Sequence, residues 1–375
     1  MIRLEDCYAD TPARVQRALN QIKHTADSFG RSSQVPVDLV RDLLAGGVGT
    51  YDTVFAALSR HPAIDVTRLI PPSVAAAHGL QSPAPRSFVV MRSHDTKASA
   101  RVFHRGASPA AFVPYYRYFD TAVQATSPFR PELIEQLVNH DAAAGALDPS
   151  YFNHGHFESQ LTVYLGDVDL HWLDRGGSPH VFSARRFSAS YKLPFVRHTF
   201  TGRMTGGAIL AVTYLGPLAD GSSRPAARPH AGSGTALEPV VTGHVERPLG
   251  ARGPVTSLLP PIPSQPSTRV LLLQPRARQA AALPAAGIDR WMYHAGGSAA
   301  NVEIDGTAEL LAPGDSMCIA PARTISVRSE GSAEVVCFEV RSGEGDAAWE
   351  RHGIELGVGP EALLRLERED RQWFG

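Results

Sequence analysis

From Asn153 to Gly166 the chain reads NHGHFESQLTVYLG, and as a single strand this run constrains the fold more than any other. Side chains two and four apart on a strand share a face, so His154, His156, Glu158 and Gln160 would all point one way. Pro194 and His198 follow on what reads as a later strand. Coordinating side chains on the inner faces of two strands are what a metal-holding jelly roll needs.

The competing reading is a buried polar network without an ion. A lone histidine is usually a satisfied core or surface residue, and most of the 15 here must be that. The cluster shifts the balance, because two histidines with an acid or amide beyond, then Pro-x-x-x-His, converge as metal donors do. Imidazole with oxygen donors suits iron, manganese, nickel or zinc, and two histidines with one oxygen leave coordination positions open. Spacing does not name the metal. Nor does it fix the third donor: on a flat strand the Cα atoms of His156 and Gln160 stand roughly 13 Å apart. The strand must therefore curve, and Glu158 or His154 could serve instead.

At 375 residues the chain fits two or three domains. A formal net charge of -1 and pI near 7.0 argue against bulk binding to nucleic acid or membrane. The three cysteines, Cys7, Cys318 and Cys337, lack Cys-x-x-Cys spacing, which argues against a disulfide framework or zinc knuckle and fits a reducing cytoplasm. No apolar run reaches the roughly 18 residues of a spanning helix. The expectation is a soluble, unprocessed, cytoplasmic protein.

The pattern predicts a mainly β chain with an α-helical N-terminal module. Residues 1–75 read as a helix-turn-helix-like domain: Thr11-Pro12 starts a helix carrying Val15, Leu19 and Ile22, and Val37, Val40, Leu43 and Leu44 make a later stripe ended by Gly46-Gly47. Its would-be recognition helix carries Asp38, Arg41 and Asp42, a poor set for facing phosphates, so packing or oligomer contacts are preferred over DNA binding. Residues 76–216 read as a β unit, the catalytic one, interrupted by a helix at 131–138 with Leu133, Ile134 and Leu137 at helical spacing. Residues 217–267 are a Pro/Gly-rich linker. In 268–345 a second β unit has a stretch, Gly306 to Asp315 (GTAELLAPGD), that resembles cupins, with Thr324 near where a metal-binding cupin would place histidine. It is expected to be a metal-free, degenerate cupin. The tail at 346–375 reads as helical, with Leu363, Leu364 and Leu366 docking inward.

Three runs carry a more specific resemblance: 127–138 (SPFRPELIEQLV), 153–162 (NHGHFESQLT) and 190–203 (SYKLPFVRHTFTGR). Together they resemble the non-haem Fe(II) phosphonate oxygenases, the methylphosphonate synthase and 2-hydroxyethylphosphonate dioxygenase family, over roughly the first 215 residues. The resemblance implies a catalytic cupin with iron ligands at His156 and His198. It implies Gln160 as third ligand, in the manner of the synthases; the dioxygenases take a glutamate from the strand leading to the second histidine, where Lys192 and Leu193 stand here. His154 and Glu158 become neighbours of the ligands or alternative donors. Arg105, Tyr118 and Asn153 match phosphonate-binding positions, and Lys23 matches a lysine that enters the site from a neighbouring subunit, implying a homo-oligomer. Without the resemblance, Arg105 reads equally well as a surface charge and Tyr118 as a strand aromatic.

The implied reaction is Fe(II)- and O2-dependent cleavage of the carbon-carbon bond of 2-hydroxyethylphosphonate to methylphosphonate and an oxidised one-carbon product, without 2-oxoglutarate. Cleavage to hydroxymethylphosphonate plus formate is the alternative within the family. A cupin-sensor regulator, with the helical module reading DNA, is the alternative of another class.

Overall fold

The computed structural model describes residues 1–81, 83–84, 86–127, 129–140, 147–153, 155–174, 176–203, 207–215, 240–243, 253–262, 265, 267–277 and 279–341. His154, much of the 217–267 segment and the whole of the 346–375 tail lie outside the described residues. Two compact units emerge. One holds Met1–Arg86 with Val123–Ser127, and the other holds Ser87–Ala122 with the described residues from 129 onward to 341.

The first unit is helical: α1 (Thr11–Gln21), α2 (Ala26–Ser33), α3 (Val37–Leu44), α4 (Asp52–Arg60) and α5 (Pro72–Ala77). Pro12 sits in the first turn of α1, where a missing N–H costs nothing. Thr25 and Ser28 form a reciprocal capping box at the start of α2. The helices bury Val15, Leu19, Phe29, Val40, Leu43, Val54, Phe55 and Leu58 in one apolar core. Helices α2 and α3 approach so closely that a Cβ on Gly30 would lie 2.8 Å from Val37 Cγ2. On the exposed side of α3, Arg41 pairs with Asp27 at 2.7 Å and Asp38 at 3.3 Å.

The second unit is built of sheets. Its strands begin β1 (Phe88–Met91), β2 (Arg101–Arg105), β3 (Val113–Phe119), β4 (Phe129–Gln136), β5 (Ser159–Tyr164), β6 (Val168–Leu173) and β7 (Pro179–Ala184). They continue β8 (Ala189–Lys192), β9 (His198–Gly202), β10 (Ala208–Tyr214), β11 (Val240–Gly243), β12 (Val255–Ser257), β13 (Arg269–Leu273) and β14 (Ala281–Leu283). The last are β15 (Asp289–Gly297), β16 (Ala300–Ile304), β17 (Thr307–Leu311), β18 (Ser316–Ile319), β19 (Ile325–Arg328) and β20 (Ala333–Val340). A short α6 (Ser93–Ala98) follows β1.

These strands make a 7-stranded sheet, β11-β8-β5-β10-β4-β3-β2, and a 3-stranded sheet, β7-β6-β9. A 6-stranded sheet, β1-β18-β15-β20-β13-β12, and a 4-stranded sheet, β14-β19-β16-β17, make a second pair. Strand parity decides the layering. Leu161, Val163, Leu210 and Val212 from the 7-stranded sheet pack against Val270, Leu272, Trp291 and Phe338 from the 6-stranded one. The alternate residues of the 6-stranded sheet, Leu271, Leu273, Met292 and Met317, turn to the 4-stranded sheet and meet Val302, Ile304, Ile325 and Val327. The alternate residues of β5 turn the other way, and Tyr164 lies edge-on to Phe200 of β9 with centroids 6.1 Å apart. The chain is thus mainly β, with apolar layers joining the 7-stranded to the 6-stranded sheet and the 6-stranded to the 4-stranded sheet.

Several expectations are corrected. Residues 131–138 do not form a helix: β4 occupies Phe129–Gln136, between β10 and β3. The same residues that show helical spacing also alternate, and pairing on both edges of a central strand outweighs a local helical pattern. The strand expected from Asn153 begins only at Ser159, because Gly155 takes φ +83° and turns the chain. Two strands arise from the Pro/Gly-rich stretch, with β11 pairing β8 and β12 pairing β13. β1, from the first β stretch of the sequence, pairs with β18 in the second sheet pair. Thr324, at the position where histidine was sought, uses its N–H to bond Asp305 Oδ1 at 3.1 Å.

Candidate metal centre

Gln160, on β5, is 3% exposed, and its Oε1 is buried with no hydrogen-bond partner. An unmet buried acceptor costs about 1–3 kcal/mol, so such an atom is suited to a donor, an ordered water or an ion. The turn before β5 and the turn before β9 bring two imidazoles together: the rings of His156 and His198 have centroids 5.3 Å apart, tilted by 57°.

Three local features hold that pair. The Asn153 side-chain oxygen accepts from Gly155 N–H at 3.0 Å and from His198 N–H at 2.8 Å. The Asn153 N–H donates to His198 O at 3.0 Å, and Phe195 N–H donates to His156 O at 2.7 Å. At Gly155 the two turns touch so closely that a Cβ would lie 2.3 Å from Phe195 C, while Phe195 itself takes φ +61°. His156 therefore enters from a turn rather than from the strand.

His198 is held in one tautomer. Its Nδ1 lies 2.7 Å from Val196 O; a carbonyl can only accept, so the proton sits on Nδ1 and Nε2 keeps its lone pair. Burial foremost, then the charge of Lys192, hold its basicity well below the ordinary imidazole range, with Arg105 contributing. His198 is thus neutral at neutral pH. Two imidazoles and an amide oxygen are a donor set that fits a divalent transition metal.

Lys192 is the residue that sequence reasoning noted only as a mismatch. It is paired directly across from Gln160 in the β5–β8 register, is 1% exposed, and donates to Thr162 Oγ1 at 2.8 Å and Ser190 Oγ at 3.2 Å. Burial pulls its ammonium well below the ordinary lysine range. The alternation Ser190-Tyr191-Lys192 carried the signal, since parity puts Ser190 and Lys192 opposite the apolar-facing Tyr191.

Comparison with known proteins bears on the fold. No family model matches the chain. Methylphosphonate synthase of Nitrosopumilus maritimus (strain SCM1) is 36% identical over 129 residues, 34% of this chain and 27% of that protein. The match therefore spans about a quarter of that relative's length. The structure of Streptomyces albus HEPD with its substrate 2-hydroxyethylphosphonate and Fe(II) bound superposes with a TM-score of 0.57 at 20% identity, covering 98% of this chain and 99% of that one. Native PhpD with cadmium atoms gives a TM-score of 0.50 at 16% identity, covering 95% and 99%. Over those 129 residues the chain is similar to methylphosphonate synthase, and its fold is similar to that of HEPD.

Arg105, on the β2 edge of the 7-stranded sheet, is half-buried, its guanidinium carbon 5.3 Å from the Tyr116 ring centroid and 5.7 Å from that of Tyr115. Beneath it runs a network that the sequence did not reveal. Phe200 N–H donates to the Tyr116 hydroxyl at 2.8 Å, Tyr116 meets Thr199 Oγ1 at 2.8 Å, and Thr199 donates to the Tyr115 hydroxyl at 3.0 Å. It ties β3 to the strand that carries His198. Tyr118 is buried edge-on to Phe103 at 4.6 Å, and burial, with Glu132, raises its hydroxyl well above the usual range, so it remains a donor. Glu158 is half-buried just before β5. Lys23 belongs to the helical unit, in the turn after α1, where it takes φ +54°. No described helix is long and apolar enough to cross a membrane.

Proposed function

We propose that this chain is an Fe(II)- and O2-dependent oxygenase that cleaves the carbon-carbon bond of 2-hydroxyethylphosphonate to yield methylphosphonate. The observation that carries the reading is the pairing of the His156 and His198 imidazoles, and the buried, unbonded Oε1 of Gln160 on β5 supports it. These three residues would hold the iron. Bound there, iron would supply open positions where the substrate oxygens and dioxygen react.

The rest is the work of the chain's own groups. Three neutral donors leave the ion's charge uncancelled, and Arg105 and Lys192 add positive charge that lowers the basicity of His198. The chamber thereby favours a dianion over a neutral alcohol. Arg105 and the protonated Tyr118 hydroxyl are suited to phosphonate oxygens. Asn153 orients both histidine-bearing turns through the bonds its side chain makes. His154 and Glu158 are read as neighbours of the ligands. No co-substrate is required: 2-hydroxyethylphosphonate plus O2 balances as methylphosphonate, carbon dioxide and water. Hydroxymethylphosphonate plus formate balances equally, and an amide at Gln160 instead of a carboxylate favours the former.

The helical unit is read as a helix-turn-helix-like module used in a homo-oligomer, with Lys23 supplied to a neighbouring subunit. The engagement of Arg41 by Asp27 and Asp38 supports packing over DNA reading. The second sheet pair is read as a degenerate cupin, supported by its apolar filling. Anaerobic purification, iron loading and phosphorus NMR of the products test the activity. Methylphosphonate is the expected signal, and failure to turn over any 2-hydroxyalkylphosphonate would overturn the proposal.

A further inference from the structure

The inward face of the 7-stranded sheet presents its side chains in rows. Register places Arg130, Thr213, Gln160 and Lys192 in one row across β4, β10, β5 and β8. The next row reads Glu132, Ala211, Thr162 and Ser190. Lys192 leans into this second row, where its ammonium bonds the hydroxyls of Thr162 and Ser190, and lies 5.0 Å from the Phe200 ring centroid. Glu132 is the acid of that row, yet it stands two strands from Thr162, about 10 Å at ordinary strand spacing. Among the described residues no carboxylate meets Lys192.

A buried ammonium held only by hydroxyls is costly, because neither hydroxyl cancels its charge. Proteins that keep such a group commonly use it toward a ligand. An ammonium has three donors, and two are committed here. Gln160 is paired directly across from Lys192 and borders the same spot.

We propose that Lys192 is an anion-anchoring residue of this chamber: seated by Thr162 and Ser190, it offers its third N–H to an oxyanion bound beside Gln160, and the anion's charge in turn favours the protonated lysine. The inference deepens the reading above and rests on it for the substrate class alone. It makes the chamber selective for dianionic phosphonates by a contact separate from Arg105 and Tyr118. Lys192 acts here on binding and orientation rather than on the bond that breaks.

The test uses full-length protein in two states. Metal-free protein is titrated with methylphosphonate and with inorganic phosphate by calorimetry, and cobalt(II)-loaded protein is titrated with azide by visible absorption. Lys192→Met should weaken anion binding about tenfold to hundredfold, the range for one charge-assisted hydrogen bond. The ligand-free variant should melt at the same temperature or higher, since an uncompensated buried cation has been removed. Should Lys192→Met not accumulate, Lys192→Gln keeps partners for both hydroxyls and gives the same readout. Anion affinity within twofold of the parent overturns the inference, whether or not melting changes. Lys192-dependent anion binding without phosphonate turnover would remove the proposed reaction and leave the anion site standing. Turnover with binding indifferent to Lys192 would do the reverse.

Discussion

Inside the first sheet pair Gln160 is buried with an acceptor to spare, and Lys192 is buried without an acid. Inside the second, the buried Arg290 and Glu339 meet each other at 2.8 Å, and Arg290 spends its other nitrogens on the carbonyls of Arg323 and Pro284. Arg269 adds a second guanidinium to Glu339. Around that ion pair the second interior is filled by Leu, Ile, Val and Met. One strand architecture thus serves two ends. In the second pair the buried charges are matched to each other within a close-packed apolar filling, whereas in the first the buried Lys192 meets hydroxyls and no acid.

The contrast breaks most sharply at the proposed metal donors. His198→Ala should cost more metal affinity than the about 10- to 100-fold typical of outer-shell changes, with turnover lost in parallel; metal analysis after dialysis reads it. Retention of stoichiometric iron in that variant would return the site to a mere polar network. Glu339→Gln tests the other interior. Leaving Arg290 buried without its partner should cost about 3–5 kcal/mol of stability, seen in denaturant unfolding, with iron content unchanged. Were iron lost as well, the two interiors would not be independent.

A third, smaller effect is expected at the turn that brings the histidines together. Gly155→Ala must hold φ +83° with a methyl 2.3 Å from Phe195 C. Strain of about 1–3 kcal/mol follows, and it falls on the turn carrying His156. Metal affinity should drop by on the order of tenfold while the far-ultraviolet spectrum stays that of the parent. Equal loss of metal binding and of secondary structure would show that Gly155 supports the fold rather than the site.

What the sequence made legible was parity. Gln160, Thr162 and Tyr164 alternate with Leu161 and Val163, and the sheet keeps them on opposite faces. Periodicity failed where two patterns overlapped: Leu133, Ile134 and Leu137 satisfy helical spacing, but β10 and β3 supply pairing on both sides that no local pattern displays. It failed again at His156, since strand alternation does not reveal a positive φ at Gly155 or the backbone of Phe195 against it. The long-range partners were hidden for the same reason. Nothing near Lys192 announces that it faces Gln160, and nothing in Phe88–Met91 points to a strand more than two hundred residues away.

Acid should weaken the first sheet pair through His171, on the face of β6 away from Phe200. It is 2% exposed, bonds Thr201 Oγ1 at 2.9 Å, and lies 5.7 Å from the His140 ring. Burial foremost, then His140, lower its pKa to about 4. The unfolded chain takes up this proton near pH 6.5, so between there and about 4 the unfolded state binds more protons than the folded one. The stabilising difference is complete above the unfolded value and is lost as pH falls through this window. Below it both states are protonated and the slope ends. Melting temperatures of metal-free protein from about pH 7 to about pH 5 should fall, and His171→Gln, which keeps a partner for Thr201, should flatten the fall. If His171→Gln and the parent lose stability in parallel over that window, the proton is taken up elsewhere and this buried histidine is not the acid-sensitive point of the first pair.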